Sequence, residues 1–432
     1  MKKSPIAFLI AAYSSASALA APTESVAQDF GATLSLSAQH TDNALKTETD
    51  KLSEQQNQLA ASAFAIYNNE YLALDANYAV SEMRYEKDSQ QPRTRTIGKT
   101  DLVLGKAHNP FDLKISHSIQ KLPKTSTALE LEEEIDEKQI LTVQPGFRTR
   151  ITGADNFFIN ANATEVRYRF EEQKNSSRTG GSAGITHGFS AVDSLTFYVT
   201  QSDVEFEFNP DVDYSQTMAV LALDTRLRKL SYRIEAGQSR TDSSRLGKNN
   251  DPYYALDINY DTGLHRFALS ANQQITDSSR GFSAGTMPGE ITGGSDVTAD
   301  QLDQVLLRHA ELRWTSSALC GRCNAYLSVF RDEHEFQSLE RDEERSGGAL
   351  GLSYQLSRNA TLGVNASRTE QVVGGTVNDN EFTLDQLTLY YNYAFSGGVR
   401  LRLFGTQYER SAEDNFGNYE ELRAGITLGY TF

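Results

Sequence analysis

Cysteine is almost missing from this 432-residue chain, which has only Cys 2. That excludes a scaffold held together by disulfides. A basic surplus is missing as well: Lys+Arg is 41 against Asp+Glu 57, for a formal net charge of -16. Nucleic-acid binding calls for a basic stripe, so no nucleic-acid partner is expected. Beyond residue 20 no stretch approaches the ~20 apolar residues of a spanning helix, and the mean hydropathy is -0.49. Catalytic motifs are also lacking. His40, His108, His117, His187, His265, His309 and His334 are scattered, with no H-E-x-x-H and no G-x-S-x-G. The chain is therefore read as no enzyme, with no cofactor and no metal site.

Aromatic residues, by contrast, are plentiful, with Tyr 20 and Phe 21, and their spread along the chain argues against disorder. The N-terminus carries Lys2 and Lys3, an apolar run from Pro5 to Ala12, and small residues up to Ala18-Leu19-Ala20. Charge, apolar core and an A-x-A site make residues 1–20 a signal peptide, cleaved after Ala20. The alternative is a buried N-terminal helix, for which the run is short. Residues 21–432 are then one exported domain.

A two-residue period runs to the last residue. From Glu421 to Phe432 the even positions are Leu, Ala, Ile, Leu, Tyr and Phe, and the odd positions are Glu, Arg, Gly, Thr, Gly and Thr. Alternation of this kind gives a strand one apolar and one polar face, and a helix of period 3.6 does not fit it. The same pattern recurs in Phe30–Ala38, Leu72–Val80, Phe111–Ile115, Tyr254–Tyr260 and Leu387–Phe395. Short turns such as Asn68-Asn69-Glu70, Asp261-Thr262-Gly263 and Ser396-Gly397-Gly398 alternate with longer charged segments at 41–56, 86–95, 122–138, 242–252, 277–303, 338–346, 373–382 and 411–418. The pattern is blurred only around 178–212, where Gly180-Gly181 interrupts it.

Together these signals predict an all-β, closed antiparallel transmembrane β-barrel of about 18–20 strands of ~10 residues each, with short periplasmic turns and long external loops. A soluble sandwich would need a second sheet to cover the apolar face. The barrel puts that face against lipid and the polar face around a lumen. The expected location is the outer membrane of a Gram-negative bacterium, reached through the periplasm.

Phase then assigns the pore-lining candidates: Arg148, Arg150, Arg226, Arg233, Arg266, Arg313, Arg400, Arg402 and Arg423, with Asp75, Asp112, Asp224, Asp257, Glu235 and Glu311. Polar fillers are Asn77, Asn160, Asn162, Gln274, Asn365 and Asn392. A lumen carrying both signs suits hydrophilic solutes or sugars; the alternative is that the charges pair and only stiffen the wall. Arg400, Arg402 and Arg423 read as the densest basic group, attracting anions or neutralised by acidic loop residues. Those acids are the runs Glu130-Leu131-Glu132-Glu133-Glu134 and Glu340-Arg341-Asp342-Glu343-Glu344, which could also be solvated or bind cations bridging lipopolysaccharide. Segment 277–303, rich in glycine, is the candidate to fold inward and narrow the pore; an external loop is the alternative. Cys320-Gly321-Arg322-Cys323 falls in a turn and reads as a local disulfide, with no thioredoxin-like or zinc context.

The final Leu428-Gly429-Tyr430-Thr431-Phe432 resembles the terminal strand of Gram-negative outer-membrane porins. That resemblance implies that Tyr430 and Phe432 carry the signal read by the barrel-assembly machinery. The stretches Leu34–Ala44 and Leu72–Tyr78 look like the opening hairpins of the β-barrel porin 2 family, whose members include exopolysaccharide-associated barrels. This second resemblance implies a polysaccharide-linked channel, with polysaccharide as a partner beside the lipid bilayer and lipopolysaccharide. The sequence reading is thus a porin-like channel for hydrophilic solutes or a carbohydrate polymer. Its alternative is a non-conducting structural or adhesive barrel acting through acidic external loops.

Overall fold

A computed structural model describes residues 27–432 apart from 106–108, 280–301, 340, 375–379 and 414–416. The signal-peptide reading of residues 1–20 therefore lies outside the described residues. The strands are β1 Ala27–Thr41, β2 Glu54–Asn68, β3 Leu72–Tyr85, β4 Arg93–Leu104, β5 Phe111–Pro123, β6 Ile135–Arg150 and β7 Asp155–Tyr168. They continue as β8 Ser176–Gly188, β9 Asp193–Phe206, β10 Tyr214–Arg226, β11 Leu230–Ser243, β12 Gly247–Asp261, β13 His265–Asp277 and β14 Gln304–Ser316. The last six are β15 Cys323–Phe336, β16 Asp342–Gln355, β17 Ala360–Val373, β18 Asn380–Ala394, β19 Val399–Ala412 and β20 Tyr419–Thr431. Each pairs antiparallel with its sequence neighbours, and β20 pairs with β1, so the 20-stranded sheet closes on itself. Closure leaves no unpaired sheet edge, a condition for strands in lipid.

The closing seam shows how the two faces separate. Leu34, Leu36 and Ala38 of β1 stand opposite Tyr430, Leu428 and Ile426 of β20, and these side chains point outward: Leu36 is 58% and Leu428 49% exposed. On the other face Thr33 hydrogen-bonds Thr431 at 3.0 Å and Ser37 hydrogen-bonds Thr427 at 2.9 Å. Followed around the barrel, the same phase exposes Ile185, Phe197, Leu221, Ile234, Leu269, Leu312, Leu350 and Leu389. At the turn end this apolar band finishes in paired outward rings: Phe111–Phe147, Tyr260–Phe267, Tyr393–Phe395 and Tyr430–Phe432. Such a girdle suits the membrane interface.

At the loop end the outward positions become charged and pair with one another. Arg308 meets Glu333 and Glu335, Arg331 meets Glu344, and Arg368 meets Asp385. The strands therefore run past the membrane, with lengths of 12 to 16 residues rather than ~10. That corrects several predicted loops. Segment 242–252 lies mostly in β11 and β12, with only 244–246 between them, and β16 already begins at Asp342. The blurred 178–212 stretch resolves into β8, β9 and the turns beside them. Gly180 and Gly181 sit within β8, where the lack of side chains had erased the alternation; a Cβ at Gly180 would strike the Gln201 carbonyl.

Candidate functional site

The lumen has two unlike halves. Near the turns its arginines reach into open space, with side chains 56% exposed at Arg148, 66% at Arg226 and 63% at Arg266. Towards the loops the inward positions are buried, including Thr164, Arg178, Thr200, Ser239, Asn272 and His309. All nine arginines and six acids assigned from the sequence fall on the inward phase of their strands, as the register relates them to the seam. Four of the arginines pair with a neighbour two positions along the same strand: Arg226 with Asp224, Arg233 with Glu235, Arg313 with Glu311, Arg423 with Glu421. Arg148 reaches Asp112 on β5 and Arg266 reaches Asp261. Asp75 stands opposite Asp101 in the register, and Asp257 stands opposite Arg233.

The basic group of Arg400, Arg402 and Arg423 does not hold together. Register sets Arg402 opposite Thr427 and Arg423 opposite Thr406, so Arg423 lies four residues, or ~13 Å, further up the wall. There it belongs to a buried network with Glu421, whose carboxylate also accepts from Thr41 at 2.6 Å and meets Lys46 at 3.5 Å.

One loop that the sequence did not single out turns inward. Its backbone is 124–134, joining β5 to β6 and ending in the 3-10 turn Glu132–Glu134. Near its base Arg95 binds the Glu132 carboxylate at 2.6 Å and Arg93 donates to the Glu132 carbonyl at 2.8 Å. Its middle meets residues from other sectors of the barrel wall, one of them directly opposite. Arg341, between β15 and β16, donates to Ser126 Oγ at 2.6 Å. Arg410 of β19 donates to the Thr127 carbonyl at 3.2 Å, and Lys46, between β1 and β2, meets Glu130 at 3.5 Å. Half of such a loop can reach ~18 Å from the wall, and the long basic side chains complete the crossing. Burial alone would lower the Lys46 pKa, but the charges of Glu130, Tyr419 and Glu421 outweigh it and hold the ammonium above its ordinary value.

The acidic run at 130–134 is thus partly consumed as anchors rather than simply solvated, and in the second run Glu343 is buried and paired with Arg341. Among the described residues no three His, Cys, Asp or Glu side chains converge to hold a metal ion. The middle of segment 277–303 lies outside the described residues, but both its ends turn inward. Arg178 of β8 binds Asp277 at 2.6 Å, Ser176 bonds Ser279 at 3.0 Å, and Leu302 packs with Val204, Phe206, Val212 and Tyr214. β8 and β13 are five strands apart, so this contact too is a chord across the lumen. Cys320 and Cys323 form a disulfide in the short turn between β14 and β15.

Lys46, Arg95, Arg178, Arg341 and Arg410 were not singled out in the sequence. Arg410 could have been, since it continues the inward series Arg400, Arg402, Phe404, Thr406, Tyr408. Lys46 and Arg341 carry no such signal, because they sit in loops.

No family model matches the chain, and no curated protein does. Solved barrels resemble it in architecture. OmpT, an outer membrane protein of Vibrio cholerae, is 13% identical, with a TM-score of 0.37, 96% of this chain and 100% of that chain covered. OpdK of Pseudomonas aeruginosa, solved with vanillate, is 10% identical with a TM-score of 0.40, covering 94% and 99%. The FrpB iron transporter from Neisseria meningitidis is 9% identical with a TM-score of 0.46, covering 93% and 81%. A closed antiparallel barrel of 20 strands with an apolar outer band places the chain in the Gram-negative outer membrane.

Proposed function

We propose that the chain is a porin-like channel for hydrophilic solutes, wide on the turn side and restricted towards its outer mouth. The observation that carries this reading is the side-chain anchoring of loop 124–134 across a lumen whose other half is open and charged. Three small anchors hold one loop in the path, which restricts passage without filling the whole pore. A lumen carrying both signs favours polar, hydrogen-bonding solutes over ions of one charge. In the finer reading the cargo is a carbohydrate polymer, supported by the resemblance of Leu34–Ala44 and Leu72–Tyr78 to exopolysaccharide-associated barrels. Lipid, lipopolysaccharide and the assembly machinery that reads Tyr430 and Phe432 complete the proposed partners. Proteoliposomes carrying the refolded protein should swell in small sugars at rates that fall with sugar size. Liposomes no more permeable than empty ones would overturn the channel reading.

A second reading has its own support. Many inward side chains of the outer half are buried, as suits a non-conducting structural or adhesive barrel. It requires impermeable liposomes, together with binding of a surface partner that is lost when the outer loops are exchanged.

A further inference from the structure

Six inward aromatic rings share one arrangement. Phe64, Phe158, Tyr326, Phe330, Tyr390 and Phe404 each lie against a glycine of the neighbouring strand: Gly31, Gly184, Gly351, Gly347, Gly363 and Gly425 in turn. A Cβ at each of these glycines would press into the ring. With no side chain in the way, each ring lies close over the neighbouring strand. Covering a strand glycine is a structural service in its own right, but it does not require the pairs to gather.

Two of them do gather. Tyr390 and Phe404 stand opposite each other in the β18–β19 register, with Gly363 and Gly425 on their outer flanks. Arg402, one inward position along from Phe404, places its guanidinium carbon 5.4 Å from the Tyr390 ring centroid and 5.9 Å from that of Phe404. Arg148, Arg226, Arg233, Arg266, Arg313 and Arg423 each have a carboxylate partner. Among the described residues Arg402 has none, and its guanidinium lies against the two rings instead. Asn392 faces Arg402 across the same strand pair, and Asn365 is the next inward position after Gly363.

We propose that Tyr390, Phe404 and Arg402 form a binding site for an acidic saccharide, the uronic-acid residue of an oligosaccharide or polysaccharide. The C–H face of a pyranose stacks on the rings, where apolar contact and ring geometry favour it. The sugar carboxylate takes the guanidinium that no protein carboxylate occupies, in the bidentate geometry arginine offers. Asn365 and Asn392 offer donors and acceptors to the ring hydroxyls. The site deepens the channel reading and rests on it for how a saccharide reaches the lumen.

Calorimetric titration of the refolded barrel in detergent tests the site without needing conductance, so its failure is separate from failure of the channel reading. The probes are tetragalacturonate, neutral maltotetraose and inorganic phosphate. Tetragalacturonate should bind most tightly. Arg402→Gln, which uncovers no glycine, should weaken it about tenfold or more, as loss of a charge-assisted pair implies, and leave maltotetraose unchanged. Phe404→Leu should weaken both sugars and leave phosphate unchanged. Equal binding of acidic and neutral sugar, equal binding of phosphate and tetragalacturonate, or indifference to Arg402→Gln in a barrel that keeps its folded gel mobility would each overturn the proposal.

Discussion

Arg410→Ser should release the loop that crosses the lumen. Arg410 donates Nη2 to the Thr127 carbonyl at 3.2 Å and Nη1 to the Gly417 carbonyl at 3.3 Å, with its guanidinium carbon 4.2 Å from the Phe382 ring centroid. Serine at this inward position cannot span that distance, so the loop keeps Arg341 and Lys46 as its far anchors. A hydrogen bond from a charged donor contributes about 1.5–3 kcal/mol. Losing that from the held state raises the released fraction roughly tenfold to a hundredfold. The β-sheet ladder is untouched, because the β19 backbone pairs through its own N–H and C=O groups. The assay is single-channel recording of wild type and variant in planar bilayers, with folding checked by gel mobility. The variant should visit a larger conductance level that wild type visits rarely. A folded variant with the conductance levels and dwell times of wild type would refute the idea that Arg410 holds a restricting loop.

The two faces of the wall predict unequal costs. Leu389→Arg, on a side chain 57% exposed to lipid, should destabilise the barrel by about 2–4 kcal/mol if near the bilayer midplane, whereas Asn365→Arg, facing the lumen, should cost far less. Equilibrium folding into vesicles measures both, and equal costs would contradict the assigned faces. Replacing Cys320 and Cys323 together by serine should lower stability by about 2 kcal/mol, since the bridged loop is so short, and leave conductance unchanged; a changed conductance would mean the turn does more than hold β14 to β15. Lys46 should make the loop anchoring sensitive to alkali. Its folded pKa lies above the ordinary 10.5, so its contribution is complete below that value and fades as pH rises through the raised one. Open-channel noise should therefore grow above about pH 10.5 in wild type, and Lys46→Arg, which keeps its charge, should delay that rise; identical pH profiles would contradict the role of Lys46.

Much of the barrel was legible because side-chain phase is a local property. Tyr254, Leu256 and Ile258 against Ala255 and Asp257 declare two faces within five residues, and a lumen position such as Arg233 or Glu311 follows from counting in twos. Height along the wall is not local. Arg423 looked close to Arg402 because their strands are adjacent, but the β19–β20 register separates them, and register depends on where each hairpin turns. The fold of loop 124–134 was hidden for a related reason. Its segment has no period, and its far anchors, Ser126 with Arg341 and Thr127 with Arg410, join residues 215 and 283 positions apart. The ring-on-glycine pairs were equally invisible, since Tyr390 and Gly363 meet only once β17 and β18 are in register.

The distinction between a wide inner vestibule and a narrow outer mouth can be measured directly by polymer exclusion. Poly(ethylene glycol) of increasing size is added to one side of a bilayer holding oriented channels, and the largest size that still lowers conductance is recorded for each side. An inner vestibule open at Arg148, Arg226 and Arg266 and an outer half crossed by loop 124–134 predict that larger polymers enter from the turn side than from the loop side. Equal size limits from the two sides would contradict the placement of the restriction.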